Sequence, residues 1–293
     1  MGVEAINRAL VAAAGASVLV GAGIVASRFA VAEVPPLTLA MLRYAIGFCC
    51  LLPFAWSGLP RMRGRDLWAM AALGIGQFGV LIALLNFGLQ HVGAAQAALI
   101  FSLFPLLTLL LSAALGRERI SWMLALGVLI SIAGVAMALA SKVGASHAGH
   151  WWGELAVAAS AAIGALCTVL YRPYLQRYPT VPVSAFAMLS SVLFLAVVAL
   201  GEQWPARVPT FSGQAWAAIV FIGVSSGVGY FWWLFALKHE SPTRVTVFLA
   251  LNPVTAALLG WALLGEGLHS ADLGALALVA AGLWLATRPT PAR

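Results

Sequence analysis

Two long apolar runs in this chain follow the same pattern, and each has a proline near its middle. Residues 100–118 read IFSLFPLLTLLLSAALGRE and residues 248–266 read FLALNPVTAALLGWALLGE, so Pro105 corresponds to Pro253. The same offset continues without gaps through further identical pairs: Trp68 and Trp216, Gly79 and Gly227, His91 and His239, Gly134 and Gly282. Self-similarity at a fixed offset indicates that the chain contains two copies of one hydrophobic unit.

The apolar character of both copies restricts the environment in which they can fold. Hydrophobic residues make up 62% of the chain and charged residues 9%, whereas a soluble domain has about 25% charged residues. The apolar runs are continuous and reach the length of about 20 residues that a transmembrane helix needs. Strands of an outer-membrane barrel would instead alternate polar and apolar residues. The sequence therefore predicts an all-α polytopic membrane protein.

Hydropathy and connecting residues predict ten transmembrane helices, five in each copy. The first repeat covers residues 1–141, a polar linker covers 142–151, and the second repeat covers 152–293. Because five is an odd number, the second repeat should enter the membrane from the opposite side, which gives two inverted five-helix repeats, a common plan of secondary transporters. The predicted spans are 7–27, 36–57, 67–89, 94–115, 120–141, 152–172, 181–200, 213–237, 242–264 and 270–287.

The distribution of basic residues predicts the orientation in the membrane. The loops between the predicted spans alternate between the two sides of the membrane. The loops on one side contain most of the arginines, including three within residues 61–65, whereas those on the other side contain Arg28, Lys142 and Arg207. Arginine and lysine accumulate in cytoplasmic loops, so we expect both termini in the cytoplasm and the chain in the cell inner membrane. Although the pI is 9.9, the basic residues are scattered between apolar runs, which argues against nucleic acid as a partner.

Several short motifs resemble a known family. The second copy contains G-Y-x-x-W-x-x-A-L-K at residues 229–238, L-N-P-V at 251–254 and G-E at 265–266, and the first contains L-R-Y at 42–44. In this order and spacing they are similar to the EamA-type repeats of the drug/metabolite transporter superfamily and, within it, to YddG-type amino-acid exporters. The resemblance implies a ten-span inverted fold, a transport function and amino acids as substrates.

Arg43 is the basic residue predicted to lie within a span, about two helical turns from the end of the second. A charge at this depth is costly and needs a partner. One interpretation is that Arg43, next to Tyr44, contacts a substrate carboxylate or belongs to a gate. The other interpretation is that it extends to the membrane surface and pairs with Glu33 or with helix-end carbonyls.

Other candidates for a substrate cavity are polar or aromatic residues near the middle of the membrane. Each also has an interpretation without a substrate. The small polar residues could serve helix packing, the aromatic residues could belong to an interfacial belt, and Asn252 could lie at a static kink next to Pro253. The candidates are Gln77, Ser225, Ser226, Tyr230, Trp233 and Asn252. Candidate bends or hinges are Gly79, Pro105, Gly227 and Pro253.

The sequence has no phosphate-binding loop, no metal-ligand spacing and no nucleophile–base pair, so we expect neither an enzyme nor a cofactor or metal. The predicted function is a secondary transporter that exports amino acids, with aromatic or apolar side chains as one option, by rocking one half against the other. Partners would be a small-molecule substrate and the lipid bilayer, and the chain would be a monomer or a homodimer. Alternatives are a drug or nucleotide-sugar carrier on the same fold, or a non-transporting membrane scaffold or redox anchor.

Overall fold

A computed structural model describes residues 3–30, 33–55, 63–91, 100–101, 103–117, 121–140, 151–264 and 270–287. Within these ranges the chain is helical apart from short connections. The α-helices are α1 Val3–Ala30, α2 Pro36–Ala55, α3 Gly64–Gly74, α4 Leu81–His91, α5 Phe104–Ala114, α6 Trp122–Ala140, α7 Trp151–Arg177, α8 Thr180–Val198, α9 Trp204–Arg207, α10 Gly213–His239, α11 Pro242–Val247, α12 Leu251–Leu264 and α13 Ser270–Thr287.

Six helical segments of the described chain are long and apolar enough to cross a membrane. They correspond to the first three predicted spans of each half: Asn7–Ser27, Pro36–Ala55, Gly64–Leu85, Trp151–Arg177, Thr180–Glu202 and Gly213–His239. The last two predicted spans of each half contain α5, α6, α11 with α12, and α13, of which α5 is short, with 11 residues, and α11 and α12 are separate helices. The predicted linker, except Trp151, and the G-E motif at 265–266 lie outside the described residues.

Two interruptions break otherwise continuous helices. A π-helical turn, Ile75–Val80, joins α3 to α4. A 3₁₀ turn, Phe248–Ala250, joins α11 to α12 and lies just before Pro253. Because proline has no amide hydrogen, the carbonyl of Leu249 cannot form its normal helical bond. This loss explains why the interruption comes before the proline and not after it.

Helices of the first half pack mainly on helices of the second half. Helix α1 packs on α10 and α12, and its counterpart α7 packs on α4 and α5. Helix α2 contacts α8 and α10, and α3 contacts α8. Each of these pairings has a counterpart when the halves are exchanged. The halves are therefore interleaved, and neither forms a separate globule.

Corresponding helices of the two halves run antiparallel where they meet. The amide of Thr38, at the start of α2, donates to the Glu202 carboxylate just after α8 at 2.7 Å. In the pair α6 and α13, Gly127 lies against Ala286, and the hydroxyl of Ser131 lies against Gly282. The order along one helix is thus reversed along its counterpart.

Glycines allow two of these crossings to be close. A Cβ at Gly227 of α10 would lie 3.0 Å from the carbonyl oxygen of Gly47 in α2. A Cβ at Gly74 of α3 would lie 2.5 Å from the carbonyl oxygen of Ala187 in α8. Small residues let membrane helices approach until their backbones touch, and here they fix α2 and α8 at the centre of the bundle.

Apolar packing differs between the two ends of the bundle. At the closed end, where α2, α7 and α10 finish and α3 and α8 begin, one cluster includes buried side chains from both halves, such as Met70, Leu175, Val183 and Leu237. We call the opposite end of the bundle the divided end, because it has two separate apolar clusters. One joins α2 to the end of α1 and to α10, and the other joins α4, α5 and α7. These two clusters share no described residue.

Candidate functional site

Arg43 links the two halves near the middle of α2. Its Nε donates a hydrogen bond to Ser226 Oγ of α10 at 2.9 Å. Ser226 Oγ in turn donates to the carbonyl oxygen of Ile222 at 2.6 Å, which orients its lone pairs toward the guanidinium. The guanidinium carbon lies 5.2 Å from the centre of the Tyr44 ring, within the range of a cation–π contact.

Glu33 does not pair with Arg43. Its carboxylate accepts hydrogen bonds from the backbone amide and the hydroxyl of Ser212, the hydroxyl at 2.7 Å. These two donors lower the pKa of Glu33. Within the described ranges, no carboxylate forms an ion pair with Arg43. The interpretation in which Glu33 neutralises Arg43 is therefore wrong, and the terminal guanidinium nitrogens have no anionic partner among the described residues.

An aromatic cluster lies next to Arg43 and joins four helical segments. Phe78, in the π turn, has its ring centre 4.5 Å from that of Tyr44 and 4.3 Å from that of Tyr230 in α10. Tyr171 of α7 follows at 6.4 Å from Tyr230. Trp233, one turn further along α10, is buried in the same core. We call Tyr44, Phe78, Tyr171 and Tyr230 the aromatic cluster.

Sequence reasoning missed Phe78 and Tyr171. A phenylalanine or tyrosine in an apolar helix carries no signal of its own, because most such residues only pack against neighbours. One signal was available for Phe78: it corresponds to Ser226 at the repeat offset, and Ser226 was a candidate.

Several polar atoms of the predicted site residues and of the aromatic cluster are buried without a hydrogen bond of normal geometry from the described residues. They are Gln77 Oε1, Asn252 Oδ1 and the hydroxyls of Tyr171 and Tyr230. A buried polar atom left unpaired costs about 1–3 kcal/mol, so each of these atoms could gain from a polar ligand. Ser225 differs, because its hydroxyl donates to the carbonyl oxygen of Ile222 at 3.0 Å.

The four predicted hinge residues lie in different settings. Gly79 belongs to the π turn and lies against the ring of Phe194 in α8, and Gly227 lies against Gly47. Pro105 lies in the first turn of α5, where its missing amide hydrogen costs nothing. Pro253 is the third residue of α12, just after the 3₁₀ turn.

A cavity of about 670 Å³ lies along α1, between α10 and α12. Small residues such as Ala22 and Ala218 line it, together with Glu33, Ser212 and Leu259. None of the predicted site residues lines this cavity. The arrangement at Arg43 is therefore a separate feature, which the interleaved helices α2 and α10 and the π turn bring together.

Comparisons with known proteins agree in the kind of protein they indicate. The sequence profile of the EamA-like transporter family matches residues 7–140 and 151–288. A probable terminal-alkyne amino-acid exporter of Streptantibioticus cattleyicolor is 30% identical over 240 residues, covering 80% of this chain and 78% of that protein. The aromatic amino acid exporter YddG of Ancylobacter novellus is 30% identical over 258 residues, covering 85% of each. A crystal structure with 25% identity superposes with a TM-score of 0.82 and covers 96% of both chains.

Proposed function

Because the chain belongs to the EamA-like transporter family, we propose that it exports amino acids across the cell inner membrane by alternating access, with Arg43 as the contact for the substrate carboxylate. That it is a multi-pass membrane transporter of small molecules, and not an enzyme, follows from the family and the apolar helices. The substrate, the direction and the mechanism are the proposal.

The observation that carries the proposal is the incompletely paired guanidinium of Arg43. Its Nε is bound to Ser226, whereas no described carboxylate pairs with its terminal nitrogens. Leaving a charge unpaired inside a span costs at least a few kcal/mol. A carboxylate accepts two parallel hydrogen bonds from a guanidinium, so a substrate carboxylate would remove this cost while it is bound.

The aromatic cluster supports a preference for aromatic or apolar side chains. The rings of Tyr44, Phe78 and Tyr230 give an apolar wall beside the charge. The hydroxyl of Tyr230 is left to donate or accept a hydrogen bond, and the amide oxygen of Gln77 is left to accept one. Two relatives carry names of amino-acid exporters, one of them for aromatic amino acids. A drug or nucleotide-sugar carrier remains the alternative, since phosphate also binds arginine.

The packing supports an inverted repeat with interleaved moving bodies. If all five helices of each half cross the membrane, counterpart helices must run in opposite directions, as α2 and α8 do. The contacts favour two mixed bundles, one of α1, α10 and α12 and the other of α3, α4, α5 and α7. We therefore propose that these bundles, rather than the two halves, rock against each other around α2 and α8. The closed end would then face the cytoplasm, together with both termini.

Proteoliposome uptake by Arg43 variants tests the role of this residue. Arg43→Gln should fold normally and weaken the apparent affinity for a zwitterionic amino acid roughly 10- to 100-fold, because it removes a charged hydrogen-bond donor. Arg43→Lys should recover only part of the affinity, since a single ammonium cannot match the planar fork. Arg207→Gln, at an exposed arginine that ends the short helix α9, is the matched control and should transport as the wild type does.

A substrate pair separates binding from scaffolding. Transport of an amino acid amide, which lacks the carboxylate, should hardly respond to Arg43→Gln. Equal losses for the acid and the amide, in step with a loss of thermal stability, would show that Arg43 belongs to the scaffold or gate. Uptake of nucleotide sugars but of no amino acid by the wild type would exclude the proposed substrate class.

A further inference from the structure

Helix α7 contains a carbonyl that its own helix cannot satisfy. The helix runs from Trp151 to Arg177 and includes Pro173. In an α-helix the carbonyl of each residue accepts a bond from the amide four residues later, and proline has no amide hydrogen. The carbonyl of Val169 therefore has no helical donor. Val169 is fully buried, and a buried backbone carbonyl needs a partner.

Arg117, three residues beyond the end of α5, supplies the missing donor. Its Nη1 donates to the carbonyl oxygen of Val169 at 2.7 Å, a length typical of a charge-assisted hydrogen bond. The guanidinium thus occupies the place of the amide that Pro173 lacks. The bond between these two groups connects the segment after α5 to the point where α7 lacks a helical hydrogen bond.

The end of α5 has a backbone geometry that directs Arg117 toward α7. Gly116 has a φ of +64°, in the left-handed region. The amide of Arg117 donates to the carbonyl of Ser112 at 2.8 Å, and the amide of Gly116 donates to the carbonyl of Ala113 at 2.9 Å. These two bonds with a left-handed glycine form a Schellman motif. The motif fixes the backbone of Arg117 before its side chain reaches α7.

The bonded carbonyl lies close in sequence to a member of the aromatic cluster. Tyr171 lies between Val169 and Pro173, and its ring centre is 6.4 Å from that of Tyr230. Proline is a common site of helix kinks, so an unrestrained α7 could bend here and carry Tyr171 away from α10. We propose that Arg117 is a positioning residue, which replaces the helical bond lost at Pro173 and thereby holds Tyr171 against Tyr230. Its effect on transport rests on the function proposed above.

A double-mutant cycle tests this bond, because Pro173→Ala returns an amide hydrogen to α7. Arg117→Ala alone should lower the apparent melting temperature by roughly 3–6 °C and weaken the apparent substrate affinity several-fold. In the Pro173→Ala background the same change should have less than half of either effect. Arg177→Ala, at an exposed arginine in the last turn of α7, is the control and should show no coupling to residue 173. Additive effects of Arg117→Ala and Pro173→Ala would overturn the proposal.

A second pair of variants does not depend on the folding of the proline mutant. Arg117→Lys keeps one donor and should retain most of the stability and affinity, whereas Arg117→Met keeps the length without a donor and should behave as Arg117→Ala. Greater stability and affinity in Arg117→Met than in Arg117→Lys would overturn the proposal. Coupling between residues 117 and 173 in melting temperature, without any change in substrate affinity, would also overturn it. The melting temperatures are measured without substrate, so a wild type that takes up no amino acid would refute the proposed function and leave the stability coupling intact.

Discussion

The two ends of the bundle have similar polar tethers but different apolar packing. At the closed end the Tyr178 hydroxyl donates to Asp66 at 2.5 Å, which ties the α7–α8 connection to the first turn of α3. At the divided end Glu33 and Ser212 tie the α1–α2 connection to the start of α10. Among the described residues, only the cluster at the closed end contains buried side chains of both bundles, such as Met70 of α3 and Leu237 of α10, whereas neither cluster at the divided end joins one bundle to the other. The apolar packing, and not the tethers, therefore distinguishes the two ends.

In the proposed cycle both tethers can persist while an end opens, because each lies within or beside a single bundle. The first tether belongs to the bundle of α3, α4, α5 and α7, since Asp66 lies in α3 and Tyr178 follows α7. The second belongs to the bundle of α1, α10 and α12, since Glu33 follows α1 and Ser212 precedes α10. Neither tether joins the two bundles to each other. In the proposed cycle the apolar contacts between the bundles would break and re-form, while each tether moves with its own bundle.

The largest expected effect comes from Gly74, which lies in the packing of α3 on α8. A side chain there would clash with the backbone of Ala187, and overpacking costs about 1–3 kcal/mol even where side chains can adjust. We expect Gly74→Leu to abolish monodisperse protein in size-exclusion chromatography. Gly64→Leu, at a glycine of the same helix with open space around it, should purify as the wild type does. Normal yield of both variants would contradict the close approach.

A smaller effect is expected at Tyr230, in the aromatic cluster. Tyr230→Phe removes a buried hydroxyl that lacks a normal hydrogen bond, so the melting temperature should stay equal or rise, while amino-acid transport should fall if the hydroxyl meets the substrate. Tyr230→Ala instead leaves a cavity and should lower the melting temperature. Lower stability with unchanged transport in Tyr230→Phe would assign the hydroxyl to the scaffold.

The smallest effect concerns the tether at the divided end. Hydrogen bonds from Ser212 lower the pKa of Glu33, so the folded state favours the ionised carboxylate. The stability from this group is present above its ordinary pKa of 4.5 and is lost as the pH falls through the lowered value. Melting temperatures between neutral and acidic pH should therefore fall slightly less in Glu33→Gln than in the wild type. Identical pH profiles would show that the tether contributes nothing measurable.

Much of the fold could be predicted because helix length in a membrane is set by hydropathy. The spans at 36–57 and 213–237 correspond closely to α2 and α10. The π turn at Ile75–Val80 could not be predicted. Such a turn adds one residue and shifts the periodic pattern of apolar positions, but a helix that is apolar on all sides has no such pattern. The interleaving of the halves was also inaccessible, since a repeat in the sequence does not say which copy each helix packs against.

The candidate site was predictable only in part. Arg43 was identified by its cost in an apolar span, and its sequence neighbour Tyr44 proved to be a packing neighbour of Phe78. The contact with Ser226 joins residues from different halves, which no local spacing encodes. The same is true of Arg117 and Val169, although the need for a donor follows from Pro173 alone.

The partners of α1 have a consequence for how the protein is made. Helix α1 packs on α10 and α12, which are synthesised long after α1. At about 5–20 residues per second, the nascent chain waits on the order of 10 s before those surfaces exist. During that time α1 must remain as an independently inserted helix surrounded by lipid, which its uninterrupted apolar sequence allows. An early stop in translation would leave a first half whose helices have lost their principal neighbours, and such a fragment is a natural substrate for membrane quality control.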